Sequence, residues 1–169
     1  RWDYGDPARG DSFEYETFGG SMSNVASAVR FFDSHRLQGL TVEKQYDLLV
    51  AEVDAVGATV LFAIFFGNDV QPAALSKLRR VAGVPVVNWF CDDHWRYESF
   101  SRVLAPSLTL SVTTDVVAAE RYRRDGFPVF ASQWGVPRSR VTNLEVDPSP
   151  INQLAFVGQV YGRRSRILG

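Results

Sequence analysis

Five adjacent residues combine acid, imidazole, indole and guanidinium: Asp92, Asp93, His94, Trp95 and Arg96. They follow an apolar run from Val84 to Cys91, broken only by Asn88, which reads as a strand. In open α/β sheets ligands bind outside the carboxyl ends of strands, so this cluster sits where a site is expected. Two carboxylates and a histidine offer a general base, or a set of acceptors for ligand hydroxyls. Trp89 and Trp95 add aromatic faces suited to the C–H surface of a sugar. A solvated strand end whose acids cap the next helix is the plainer alternative. A metal centre has little support, because nothing nearby completes a coordination shell. Cys91 reads as a packed small hydrophobe, since neighbouring acids raise a thiol's pKa.

Three further groups are candidates. Ser111, Thr113, Thr114 and Asp115 put hydroxyls at the end of the next strand; at least one threonine is expected as a helix N-cap, with both strand ends facing one crevice. The segment from Tyr4 to Ser12, with Gly5, Arg9 and Gly10, lies between a presumed first strand and the first helix. There, backbone amides can meet an anionic or hydroxyl-rich ligand. Its glycines lack the dinucleotide-binding spacing. Gly158 to Arg164 is a strand-to-helix loop with two glycines and two arginines, Arg163 and Arg164, able to approach a diphosphate. Each of these loops is equally readable as an ordinary turn.

The elements that position these groups alternate. Ser12 caps a helical pattern through Met22, weakened by Gly19 and Gly20. Residues 28–32 form a short strand candidate. Thr41 caps a stronger helix carrying Tyr46, Leu49, Val50 and Val53 on one face, stopped by Gly57. The continuous run 59–66 suggests a strand buried on both faces, as in a parallel sheet. A helix from Pro72, the strand 85–90, an amphipathic stretch 97–104, a strand 108–112, a helix 116–124 and a strand 129–131 follow. Residues 135–151 hold three prolines and little periodicity, which reads as a linker or lid. A strand at 154–157 and a helix starting at Arg163 close the chain. The expected fold is therefore α/β, a Rossmann-like, doubly wound, mostly parallel sheet.

Composition narrows the function classes. With 169 residues the chain can bury a real core. Its 18 basic and 19 acidic residues give a net charge of −1, which excludes a strong generic nucleic-acid footprint. A single cysteine excludes an intrachain disulfide and a cysteine-rich zinc site. His35 and His94 have no histidine partner at metal-ligand spacing. No apolar run is long enough for a membrane span and no signal peptide is evident, so a cytoplasmic location is expected. The opening residues read as a loop lacking its strand, and a fragment of a longer protein is expected.

Taken together the motifs resemble the glycosyltransferases related to the spore-maturation protein CgeB. The resemblance rests on Arg1-Trp2-Asp3-Tyr4-Gly5 with Gly10-Asp11-Ser12-Phe13-Glu14-Tyr15, and on Asn88-Trp89-Phe90-Cys91-Asp92-Asp93 with Trp95 and Val112-Thr113-Thr114. Phe156-Val157-Gly158 with Tyr161-Gly162-Arg163-Arg164 extends it. It implies a GT-B architecture, two Rossmann-like domains across a cleft. Residues 1–150 would be the acceptor-side domain, and 151–169 the first strand of a truncated donor-binding domain. The resemblance further implies transfer from a nucleotide-sugar co-substrate to a glycan-type hydroxyl acceptor, with no cofactor and no metal. Asp92 or Asp93 would be the acceptor-side base or hydroxyl anchor, with His94 as rival. Trp89, Thr113 and Thr114 would bind substrate beside them, Tyr4, Gly5 and Arg9 would line the opposite wall, and Gly158 and Arg163 would lie nearer the donor phosphates. Gln133-Trp134-Gly135-Val136-Pro137 departs from the family pattern, where an Asn-containing motif is expected. The donor-binding residues are missing, so the isolated fragment is expected to be inactive. The alternative is a non-catalytic flavodoxin-like ligand-binding or interaction domain, or a degenerate transferase domain that binds glycans without turnover. A receiver domain ranks low, because the only lysines, Lys44 and Lys77, fall in predicted helices rather than at a strand end.

Overall fold

A computed structural model describes residue 8, residues 10–12 and residues 14–135. Among these residues four strands, β1 (Leu61–Ala63), β2 (Val86–Phe90), β3 (Leu110–Thr113) and β4 (Val129–Ala131), form one all-parallel sheet in the order β1-β2-β3-β4. The expected α/β fold with a parallel, Rossmann-like sheet is what the chain adopts. Parallel neighbours need crossovers, and helices carry them: α3 (Pro72–Val81), the short α4 (Asp93–Arg96) leading into α5, and α6 (Val116–Arg124). α5 is a π-helical turn, Tyr97–Ser101, continued by Arg102–Leu104 and the 3₁₀ turn Ala105–Ser107. Because right-handed crossovers in one sequential direction all fall on one side, these helices share a face of the sheet. α2 (Val42–Val56) packs beside α3 on that side.

The core lies between this face and the helices. Val86 and Phe90 of β2 meet Leu75, Leu78, Leu104 and Tyr122 there. Strand alternation sends Phe62, Trp89, Val112 and Phe130 to the other face. That face is covered by α1, the π turn Tyr15–Gly19 continued by Gly20–Met22, whose Phe18 ring lies 5.7 Å from Phe62 and 5.1 Å from Trp89. Trp134 closes on Trp89 from 6.1 Å. The cover is thinner, and Phe130 stays 59% exposed. Gly19 lies close against the loop that follows α1, where an added Cβ would stand 2.9 Å from the end of the Phe31 ring.

Local sequence explains most boundaries. Ser12 Oγ accepts from Tyr15 N at 3.1 Å, Thr41 Oγ1 accepts from Lys44 N, and Gly57 ends α2 at φ 59°. Pro72 opens α3. The strand expected at 28–32 is absent; those residues join no ladder. Their side chains are engaged elsewhere: Phe31 sits against Tyr15, and Phe32 packs on the core beneath the Arg36 guanidinium. The run 59–66 yields only the three residues of β1. The buried Asn88 Oδ1 accepts the Phe65 N–H at 3.0 Å, replacing a ladder acceptor with a side chain just past the strand. Gln45, also buried, donates to Leu37 O and accepts from Gln71 N, both at 2.8 Å, tying the 34–40 loop and the start of α3 to α2.

Candidate active site at the β2 exit

A small open depression lies at the carboxyl ends of β1 and β2, bordered by Phe65, Phe66, Cys91, Asp92, Arg96 and Phe100. The apolar run of β2 carries the chain into it, and the first turn of α4 then closes on Asp92, whose carbonyl accepts from Trp95 N and Arg96 N at 3.2 and 3.0 Å. At Arg96 the backbone takes φ −103° and ψ −2°, and the helical run bends. The bend has a direct result. In a straight helix, residues eight apart stand about 12 Å apart along the axis. Here Ser101 Oγ nevertheless donates to Asp93 Oδ1.

Asp93 is thus withdrawn from the depression. It is 1% exposed, and besides Ser101 it accepts from Tyr122 Oη at 3.1 Å and from the Thr113 hydroxyl. Burial pushes its carboxyl above the ordinary aspartate range, opposed by the hydroxyl hydrogen bonds and reinforced by the Asp115 charge. Of the two acids expected to face the crevice, Asp92 alone borders it, half-buried and directly beside Cys91. His94 is exposed on α4, its ring 6.4 Å from that of Trp95. The Cys91 thiol is pushed up to about 12, first by burial and then by Asp92, Glu14 and Asp93. A thiol so held is a poor nucleophile at neutral pH, as expected from its acidic neighbours.

The two tryptophans part company. Trp89 lies on the opposite face between Phe18 and Trp134, with its indole N–H buried and, among the described residues, without a partner, so its ring offers no platform to a ligand at the depression. Trp95 is 65% exposed. The threonines correct a second expectation. Neither caps α6; Asp115 does, its Oδ1 accepting from Ala118 N at 2.6 Å. Thr113 is fully buried, where its Oγ1 accepts from Asp115 N and joins the Asp93 cluster instead of the crevice. Thr114 donates to Cys91 O at 3.4 Å, joining the β2 and β3 exits. Tyr4, Gly5, Arg9, Gly158 and Arg163 lie outside the described residues, as do the expected linker and the strand 154–157.

Residues that carry the site without having been given a role in it are Asn88, Arg96, Ser101 and Tyr122. Asn88 had a sequence signal, a polar residue inside an apolar run. Ser101 and Tyr122 had none, because their role depends on a bend and on a partner 29 residues away. Among the described residues no cluster of three or more His, Cys, Asp or Glu side chains is placed to hold a metal ion. Among them, too, no helix is long and apolar enough to cross a membrane. No protein-family model, curated protein or solved structure matches this chain.

Proposed function

We propose that this chain is the acceptor-side part of a GT-B glycosyltransferase related to the CgeB-like enzymes, with Asp92 as the acceptor base or hydroxyl anchor. The observation that carries the reading is an accessible carboxylate at the carboxyl end of a central strand in an all-parallel sheet. In the reaction proposed, Asp92 takes the proton of an acceptor hydroxyl while its oxygen bonds to the anomeric carbon of a nucleotide-sugar. The bond from that carbon to the nucleoside diphosphate breaks, and the diphosphate leaves with the electron pair. His94, exposed two residues away, is the rival base. Asp93 fits the role less well, because a base must come within hydrogen-bond reach of the hydroxyl it deprotonates. We place the activity in the cytoplasm, with the nucleotide-sugar bound largely by a second domain.

The test is transfer or donor hydrolysis by the full-length protein. Asp92→Asn is expected to lower turnover by about 10²–10⁴-fold. Unchanged turnover removes Asp92, and a loss in His94→Gln instead transfers the role.

A further inference from the structure

Among the described residues Arg96 is the one cation bordering the depression, and its donors are unspent there. It lies at the bend between α4 and α5, half-buried, its guanidinium 4.5 Å from the centre of the Phe100 ring and 5.4 Å from that of Trp95. Among the described residues it makes no ion pair and no side-chain hydrogen bond. The contrast with Arg79 is informative, since that half-buried guanidinium donates to the carbonyls of Leu108 and Pro106. Asp92 stands four residues before Arg96, a spacing at which acid and base commonly pair on a helix. Both border the same depression, yet they do not pair. Two aromatic rings instead hold the guanidinium, leaving its planar fork of N–H donors without an acceptor.

We propose that Arg96 binds an oxyanion, and that the ligand of this depression is an acidic carbohydrate, a sugar bearing a carboxylate or a phosphate. The inference rests on the reading of the site as a sugar-acceptor site and names the class of acceptor. Each feature maps onto one part of such a ligand. The fork of Arg96 matches the paired oxygens of a carboxylate or phosphate. The Asp92 carboxylate, which has acceptors and no donor, takes hydroxyl hydrogens and repels a bare anion. The exposed ring of Phe66, which borders the depression, suits the apolar edge of the pyranose. A neutral sugar would leave Arg96 unanswered, and a simple anion would leave Asp92 and the Phe66 ring unused.

The experiment is calorimetric titration of the full-length protein with glucuronate, glucose 6-phosphate, glucose and inorganic phosphate. Both acidic sugars are expected to bind at least about tenfold more tightly than glucose or phosphate. In Arg96→Gln the ratio of acidic to neutral affinity falls to about one, while Arg96→Lys keeps about a third of it, retaining charge without the fork. Asp92→Asn weakens acidic-sugar binding and not that of phosphate. Preference for only one acidic sugar identifies the oxyanion. Equal binding of glucose and the acidic sugars, no binding at all, or an unchanged ratio in Arg96→Gln overturns the proposal. Phosphate binding as tightly as the sugar acids overturns it too, as an adventitious ion only. If a variant does not fold, the wild-type ratio still decides. The transfer reading fails separately, by binding of acidic sugars without transfer from any donor. The acceptor inference fails alone if only neutral sugars are glycosylated.

Discussion

Asp92 and Asp93 are neighbours in the chain and opposites in circumstance. One borders an open depression; the other is enclosed by the hydroxyls of Ser101, Thr113 and Tyr122. Both belong to the same turn of chain, so their difference comes from what the rest of the fold delivers. β3 and α6 bring Thr113 and Tyr122, and the bend at Arg96 returns Ser101. A carboxylate without a cation partner is tolerated in a core only when its lone pairs are occupied, and here three donors occupy them. The comparison teaches that an acidic pair at a strand end can divide its labour, with Asp93 fixing the exit and Asp92 facing outward.

The comparison can be broken in several ways. The largest effect is expected from Asp93→Ala, which strands three buried hydroxyls and opens a hole. It should cost about 3–5 kcal/mol in denaturant unfolding. A cost below about 1 kcal/mol would show that the cluster is not closed. Cys91, between the two regions, reports on the rim. With its thiol pushed up to about 12, alkylation at pH 8 should run about a thousandfold slower than for a free thiol. Rapid alkylation would mean that the rim opens to solvent.

The pH dependence of stability is a subtler test. Because the folded value of Asp93 is raised, its neutral form suits the native state better than its charged form. Its contribution is therefore fully present below the ordinary aspartate value of 3.8 and is lost as pH rises through the raised value. Replacing it by asparagine should flatten that part of the curve, so wild type and Asp93→Asn should differ most in slope over this acid window. Parallel curves would assign the titration elsewhere. The smallest effect belongs to Asp92→Ala, expected to change stability by no more than about 0.5 kcal/mol, as for a surface group. A loss comparable to that of Asp93→Ala would erase the division between them.

Much of this arrangement was legible in the residues themselves. The alternation of strands and helices, the caps at Ser12 and Thr41, the stop at Gly57 and the apolar run into Asp92 all follow from local chemistry. The acidic strand end was visible as a candidate site, but not which acid faced outward. That depended on Ser101, eight positions on, returning through a bend that no periodicity announces. Thr113 illustrates the same limit. Its hydroxyl suggested a cap or a crevice, yet alternation from its register partner Phe90 turns it inward. The run 59–66 was overread, because Asn88 on the neighbouring strand takes over the Phe65 N–H. A side chain on one strand thus ended another, and only pairing reveals it.

The Gln45 amide has a consequence for the order in which the molecule comes apart. Its two ends hold the carbonyl of Leu37 and the N–H of Gln71, so neither the 34–40 loop nor the first turn of α3 can detach without exposing a buried amide. Opening either one breaks a hydrogen bond that stabilises the other. In hydrogen-exchange terms the Gln71 amide should be released together with its loop, as a single cooperative unit. Two segments distant in sequence would then share one opening free energy.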